Sequence, residues 1–425
     1  MSVARPSYTK YSTDELMEVI DVFNIPESTL QQIQGLLDAS EPAPDAGNFF
    51  RYYNPRSKTE AFERSYEEKV GCRHALAVNS GTSALIASLL AAGVGPGDEV
   101  IVPAYTFFAS ISSIVVARGI PVIVDIDESL TIDPEAIAAA ITPRTKVIMP
   151  VHMIGHPCRM DAINEIAKER GLIVIEDAAQ ACGGTYKGKY LGTWGDMGCV
   201  SLDAYKVIGS GEGGIITTDD DWLYTRSQSY HDTAACWRPD RFARERKEGE
   251  LFCGENYRMP ELCAAVAIAQ LRKLDAITSA TRAIYHQLRR EIILPAGAKW
   301  VEPHDPDGVC GYSLGILFAS QDDAVKAADL GIGGLAKGDT KGVRDWHVFW
   351  HWDHILEQKT VTPEGFPFRS PYVDKLPDYS PDMCPTTKKI MLRLGTIAIQ
   401  PTDTPEWASA YASELNEGLV RLFKA

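Results

Sequence analysis

Short apolar runs alternate with stretches of helical spacing between residues 74 and 218. The apolar runs are rich in valine and isoleucine and lie at 74–78, 98–103, 121–125, 146–150, 171–177 and 215–218. Most are apolar at nearly every position, so both faces of the sheet that they form must be covered. Strands joined through helices pair in parallel. The pattern predicts an α/β fold whose large domain has a mostly parallel central sheet flanked by helices.

The alternation of strands and helices weakens beyond residue 275, and the residues before the core also have a different pattern. A long helix is expected over 255–274, followed by fewer strands and an aromatic region, which predicts a smaller C-terminal α+β domain. The first residues have amphipathic helical spacing. We therefore expect an N-terminal helical extension at 1–60, a large domain at 61–275 and a small domain at 276–425.

Charge and cysteine content exclude several classes of protein. The 425 residues carry a formal net charge of −15, which gives no field to attract nucleic acid or an acidic membrane. Nine scattered cysteines without a CxxC pair suit a reducing compartment. The sequence begins without an apolar leader, and no apolar run reaches the length of a membrane span. We expect a cytoplasmic protein.

The segment Ser80-Gly81-Thr82-Ser83 follows an apolar run and opens a helix. Backbone N–H groups and hydroxyls at the start of a helix bind phosphate well, because the helix dipole adds a positive field. An ordinary Ser/Thr helix cap is the alternative, and the segment alone does not decide between them.

A second segment, Glu176-Asp177-Ala178-Ala179-Gln180, ends another apolar run. A carboxylate at the end of a buried strand needs a partner, since burying an unpaired charge is costly. A protonated heteroaromatic nitrogen would be a suitable partner for Asp177, with Gln180 near a neighbouring oxygen. The alternative is that Asp177 caps the following segment.

A third segment places Lys206 between an apolar run and a glycine-rich turn, five residues after Ser201. A desolvated lysine has a lowered pKa and becomes a Schiff-base nucleophile; a surface lysine beside a loop is the alternative. The glycines at 209–214 precede a strand instead of following one, so we reject NAD binding there.

Residues 346–354 hold three histidines, three tryptophans and an aspartate. His347 and His351 are one helical turn apart, which is a spacing that metal sites use. The aromatic residues instead favour a packed domain edge or a pocket wall. We predict no metal site.

Taken together, these motifs resemble the DegT/DnrJ/StrS family of pyridoxal-phosphate-dependent aminotransferases, within the fold type I group. The resemblance runs from about residue 49 to the end of the sequence. It implies that Gly81, Thr82 and Ser83 bind the phosphate of pyridoxal 5'-phosphate, and that Phe107 lies against the cofactor ring.

The resemblance also assigns the remaining site residues. Asp177 would pair with the pyridine nitrogen, Gln180 would lie near the ring hydroxyl, and Ser201 would contact the phosphate. Lys206 would form the Schiff base and move the proton. Asn256, in Gly-Glu-Asn-Tyr-Arg, would reach the phosphate from the neighbouring subunit, which implies a homodimer with shared active sites.

The implied reaction transfers an amino group from glutamate or glutamine to a keto sugar, often nucleotide-linked, or to a cyclitol ketone. The alternative is a different reaction on the same cofactor, such as dehydration. Family members that dehydrate sugars have histidine at the lysine position, so Lys206 weighs against it. Asp203 departs from the glutamine or histidine of many members and leaves the acceptor undetermined.

Overall fold

The computed structural model describes residues 13–40, 57–234 and 244–423. The strands are β1 (His74–Val78), β2 (Glu99–Pro103), β3 (Ile120–Val124), β4 (Thr145–Ile148), β5 (Ile173–Asp177), β6 (Thr185–Tyr186), β7 (Lys189–Tyr190), β8 (Met197–Ser201), β9 (Gly214–Thr218), β10 (Lys299–Trp300), β11 (Ser313–Leu317) and β12 (Leu394–Ala398). The early helices are α1 (Thr13–Asp21), α2 (Glu27–Asp38), α3 (Lys58–Val70), α4 (Gly81–Ala91), α5 (Phe108–Val116), α6 (Pro134–Ala140), α7 (Met160–Arg170) and α8 (Asp221–His231). The later helices are α9 (Glu261–Leu271), α10 (Leu274–Glu291), α11 (Gln321–Ala327), α12 (Ala336–Asp339), α13 (Asp353–Leu356), α14 (Pro385–Met391) and α15 (Pro405–Phe423).

Seven strands form the central sheet in the order β1-β9-β8-β5-β4-β2-β3. The strands from β8 to β3 pair in parallel, whereas β9 runs antiparallel to both of its neighbours. Three of these strands, β2, β8 and β9, are buried at every position, as continuous apolar sequences predict. The fold class expected from the sequence, a fold type I α/β architecture, is confirmed.

Helices cover both faces of the central sheet. On one face α4 packs against α5, α8 and the strands, and nine of its eleven residues are buried. Glycine and alanine at several positions allow this close packing. On the other face, an apolar cluster of Ile101, Ile148 and Val174 packs against Ile137 of α6 and Ile163 of α7. The sheet is therefore held as the middle layer of three.

A smaller antiparallel sheet, β10-β11-β12, has its own core with α10 and α15. The chain then returns to the large sheet, because Phe349, Trp352 and Phe368 are buried in the cluster that contains α4. The backbone N–H of Phe349 donates to the carbonyl of Ala104, next to β2. The division at 1–60, 61–275 and 276–425 stays a prediction, and part of its first segment lies outside the described residues.

One expected element is wrong in extent. The helix predicted over 255–274 is α9, which begins only at Glu261. Pro260 is its N-cap, and the residues before it are extended, since a proline disfavours helical geometry in the residue that precedes it. The extended stretch includes Asn256, which forms an isolated antiparallel bridge with Asp232. Among the described residues, no helix is both long and apolar enough to cross a membrane.

A buried carboxylate ties β5 to the loop that follows β7. Glu176 accepts hydrogen bonds from the backbone N–H groups of Gly192 (2.9 Å), Trp194 (2.6 Å) and Gly195 (2.7 Å). Its Oε2 also lies 2.9 Å from Nε2 of His152, and both side chains are fully buried. Nδ1 of His152 accepts the backbone N–H of Cys158, so Nε2 carries the hydrogen that Glu176 receives.

Replacing Glu176 by alanine leaves these buried donors without an acceptor. We expect the free energy of unfolding to fall by about 3–5 kcal/mol, measured by urea denaturation. Glu165→Ala, on the exposed face of α7, is the control and should stay within about 0.5 kcal/mol of the parent. An equal loss in both variants would contradict the role assigned to Glu176.

Candidate active site

A cleft of about 520 Å³ opens where the carboxyl ends of the parallel strands meet. Its walls come from the start of α4, the segment between β2 and α5, the end of β5 and the segment between β8 and β9. The residues that line it include Gly81, Thr82, Thr106, Phe107, Ser110, Asp177, Gln180, Ser201, Asp203, Lys206, Glu212 and His347. The fold thus brings most of the predicted residues into one cavity.

The start of α4 lies directly against the ends of two strands. Ser80 caps the helix by accepting the backbone N–H of Ser83 at 3.0 Å. A side chain at Gly81 would have its Cβ 2.7 Å from Cβ of Ser201, and one at Gly214 would lie 2.4 Å from the carbonyl oxygen of Ser80. Glycine at both positions therefore allows the helix N-terminus, Thr82 and Ser201 to form one polar surface.

Ser83 belongs to the cap and does not line the cleft. Its hydroxyl donates to Oδ1 of Asn79 at 2.6 Å and lies 2.9 Å from the hydroxyl of Ser80. The predicted phosphate contact through the Ser83 side chain thus has no support in this geometry, although Gly81 and Thr82 line the cavity.

Lys206 lies in a tight turn after β8 that Asp203 organises. Oδ1 of Asp203 accepts the backbone N–H of Tyr205 at 2.9 Å, and its carbonyl accepts that of Lys206 at 3.0 Å. Side chains of aspartate commonly stabilise turns in this way. The backbone N–H of Asp203 donates to the Ser201 hydroxyl at 3.3 Å, which leaves the Ser201 proton for an anion in the cleft. Asp203 is partly buried and faces the cleft.

Within the described ranges, no hydrogen bond or ion pair holds the side chain of Lys206. Its Nζ carries a positive charge that acts on Asp177 across the cleft. The side chain is half-buried. A lysine in this setting is available to a ligand.

Asp177 is the last residue of β5 and is only 4% exposed. Oδ2 accepts the hydroxyl proton of Ser110 at 2.7 Å, and Oδ1 accepts the backbone N–H of Ala179 at 3.1 Å. Burial raises the pKa of Asp177, and these two donors together with Lys206 and His152 only partly offset it. A cationic partner in the cleft would further favour the ionised form of Asp177.

Gln180 is fixed by two neighbours. Its Oε1 accepts the backbone N–H of Ile154 at 3.0 Å, and its carbonyl accepts the hydroxyl of Tyr312 at 2.8 Å. The side-chain amide N–H₂ is then the group left to donate to a ligand oxygen. A second cavity of about 270 Å³ shares Gln180 and Lys206 with the cleft and extends toward Tyr312.

The segment at 346–354 contributes His347 to the wall of the cleft, whereas Phe349 and Trp352 are buried in the core. Phe107 is 48% exposed and lies 5.4 Å, centroid to centroid, from the ring of His347. Nδ1 of His347 lies 2.8 Å from Oδ1 of Asp345, whereas Trp352 is fully buried. The described part of the chain contains no group of three or more potential metal ligands. The sequence favoured a packed domain edge or a pocket wall for this segment, and the segment contributes to both.

The lining or supporting residues without a predicted role include Thr106, Ser110 and Tyr312. Ser110 lies in the first turn of α5, and no sequence pattern marked it. Asn256, in contrast, was predicted but does not line the cleft. It is exposed, and its Oδ1 accepts the backbone N–H of Arg258 at 3.3 Å.

These side chains fit pyridoxal 5'-phosphate. The helix N-terminus, Thr82 and the Ser201 hydroxyl suit a phosphate; Phe107 offers an aromatic face, and Lys206 offers an amine. The deciding feature is Asp177, a buried carboxylate with a raised pKa, because the protonated ring nitrogen is the cation that it lacks.

Comparison with known proteins agrees with this geometry. The GDP-perosamine synthase of Caulobacter vibrioides is 44% identical over 220 residues, which are 50% of this chain and 56% of that protein. The spore coat polysaccharide biosynthesis protein SpsC of Bacillus subtilis is 42% identical over 227 residues, 51% of this chain and 57% of that one. The chain thus spans little more than half the length of these curated relatives.

Solved structures align over nearly the whole chain. The 3-amino-5-hydroxybenzoic acid synthase has a TM-score of 0.70 at 27% identity, covering 98% of this chain and 99% of that one. An aminotransferase from Psychrobacter cryohalolentis has a TM-score of 0.68 at 25% identity, covering 99% of each. The sequence profile of the DegT/DnrJ/EryC1/StrS aminotransferase family matches residues 49–320. The chain belongs to the DegT/DnrJ/EryC1/StrS aminotransferase family.

Proposed function

We propose that this protein is a pyridoxal-phosphate-dependent aminotransferase that transfers an amino group from glutamate or glutamine to a keto sugar. The observation that carries the proposal is that the half-buried Lys206 and the buried carboxylate of Asp177 line the same cleft, with no ion pair holding the lysine in the described part of the chain. The names of the curated relatives, which make perosamine and spore coat polysaccharide, support a sugar acceptor.

The roles of the site residues follow from their positions. The α4 N-terminus, Thr82 and Ser201 would bind the phosphate, and Lys206 would hold the cofactor covalently through Nζ. When bound, pyridoxal 5'-phosphate supplies an electron-accepting ring that stabilises negative charge at the substrate carbon. Asp177 would keep a proton on the ring nitrogen. The free Nζ of Lys206 would be the base that takes the proton from the α-carbon of the amino donor and the acid that gives the proton back.

The two adjoining cavities give room for a substrate beside Lys206. The cleft and the second cavity meet at Gln180 and Lys206, and the second is lined mainly by apolar side chains from α10, β12 and nearby segments. Asp203 and Glu212 add two carboxylates to the cleft wall. Because like charges repel, this wall favours an acceptor whose anionic groups are bound away from it. A nucleotide-linked sugar would avoid this repulsion if its diphosphate were directed toward solvent.

A half-reaction tests the proposal. The protein loaded with pyridoxal 5'-phosphate and mixed with glutamate or glutamine, without a ketone, should release one equivalent of keto acid and change its visible absorbance. Lys206→Ala and Lys206→Arg should both be slower by at least roughly 10²- to 10⁴-fold, because the proton carrier is lost. Arginine keeps the positive charge, so its failure separates the role of the transferable proton from that of charge.

The aminated protein then identifies the acceptor. Nucleotide-linked keto sugars, free keto sugars and cyclitol ketones are added in turn, and the one that restores the original spectrum is the substrate class. Loss of water from a sugar without nitrogen transfer would favour the alternative, dehydration on the same cofactor. Parent-like half-reaction rates in either Lys206 variant would refute the proposal.

We also propose a homodimer in which Asn256 completes the partner's site. Its exposed position on an extended segment, away from the cleft of its own chain, supports this arrangement. Asn256 would donate its side-chain amide to the cofactor phosphate across the interface. The cytoplasmic location stays a prediction.

Mixed dimers test the shared site. Lys206→Ala and Asn256→Ala should each be inactive or weak alone, and co-refolded in equal amounts they should recover about one quarter of the parent activity. Half of the dimers are then mixed, and each mixed dimer has one intact site. No recovery, with mixed dimers verified by mass, would show that Asn256 acts within its own chain or not at all.

A further inference from the structure

Two buried hydroxyls lead from the cleft wall to Asp177. Ser110 is 1% exposed and donates to Oδ2 of Asp177 at 2.7 Å. The hydroxyl of Thr106, fully buried, lies 2.6 Å from that of Ser110. Neither residue is among those to which the family resemblance gives a role.

The direction of this chain follows from the number of protons. An ionised carboxylate only accepts, so the single hydroxyl proton of Ser110 is committed to Asp177. The 2.6 Å contact between the two hydroxyls then needs the proton of Thr106, so Thr106 donates to Ser110 in preference to the carbonyl oxygen of Phe107, which lies 3.4 Å away. The order is Thr106 to Ser110 to Asp177, and each bond polarises the next toward the carboxylate.

We propose that Ser110, polarised by Thr106, is the positioning residue that keeps Asp177 ionised and holds its carboxyl plane ready for the cofactor nitrogen. Ser110 occupies one lone pair of Oδ2 and the N–H of Ala179 one of Oδ1, so the carboxyl plane is fixed from both sides. The remaining lone pairs are available to the cleft. The inference rests on the proposed function, because it concerns the same carboxylate.

Other groups that act on Asp177 remain the same in every variant below. They are Lys206 from the β8–β9 loop and His152 after β4, which favour the ionised form, and the buried thiol of Cys199 on β8. His152 is held by Glu176, and burial raises the pKa of the Cys199 thiol, which stays neutral. A change in pH dependence on altering Ser110 therefore reports on the hydroxyl chain.

The experiment measures binding of pyridoxal 5'-phosphate to the cofactor-free full chain, by quenching of tryptophan fluorescence, from acid to neutral pH. Removing a donor to the charged form raises the pKa of Asp177, so Ser110→Ala should lose affinity on the order of 10- to 100-fold. The acid limb of its binding profile should move to higher pH by about one unit or more. Thr106→Val should also move the acid limb to higher pH, but by less than Ser110→Ala, because Thr106 acts on Asp177 only through Ser110.

Two variants control for structure. Ser110→Thr keeps the hydroxyl and should restore the acid limb of the parent. Ser113→Ala removes another fully buried hydroxyl from α5, one that donates to the carbonyl of Ser110 and does not reach Asp177. It should leave the limb in place even if stability falls.

The outcomes separate this inference from the proposed function. If the parent protein fails to bind the cofactor, the proposed function fails. If the parent binds and Ser110→Ala keeps the parent's acid limb, only the role of the hydroxyl chain is refuted. A uniform loss of affinity at all pH values, matched by Ser113→Ala, would also refute it, since it would indicate a purely structural effect.

Discussion

The carboxylate of Asp177 is the constraint on which the site depends. It lies at the end of a strand buried in the middle of the sheet, where an ionised group without partners is costly. The chain gives it one hydroxyl, one backbone N–H and a distant lysine, and burial still raises its pKa. The site is thus short of one cation. In the proposed function a protonated ring nitrogen would supply that cation, so the burial that raises the pKa of Asp177 would also favour cofactor binding.

The surrounding elements hold this arrangement by close backbone approach. Gly81 and Gly214 bring α4, β8 and β9 together within distances that no side chain would allow. Asp203 fixes the turn that presents Lys206, which gives this departure from the family pattern a structural role beside its charge. The segment that begins at Trp346 lies far along the chain from Phe107. It adds His347 to the cleft wall, with the His347 ring against that of Phe107.

Patterns of neighbouring residues in the sequence predicted those strands and turns whose structure depends mainly on neighbouring residues. Strand β1 has the predicted bounds and five other central strands differ by one or two residues at an end, because continuous apolar runs must be buried; β8 was given no bounds. The predicted start of α9 was wrong. The helical spacing continued on the N-terminal side of Pro260, but this proline disfavours helical geometry in the residue before it. Asp177, Ser201 and Lys206 could be predicted since each follows a strand of one parallel sheet. The positions of Ser110 and Tyr312 at the site could not, because their contacts join segments separated by tens to hundreds of residues.

The central claim is that Lys206 is the residue that binds pyridoxal 5'-phosphate covalently, and chemical trapping tests it most directly. The loaded protein is reduced with borohydride, digested and examined by peptide mass spectrometry. The account predicts a single pyridoxyl modification on the peptide that contains Lys206, and none when the phosphate site is first occupied by a reduced, non-reactive form of the cofactor. Modification of other lysines with Lys206 unlabelled, or no modification at all, would contradict it.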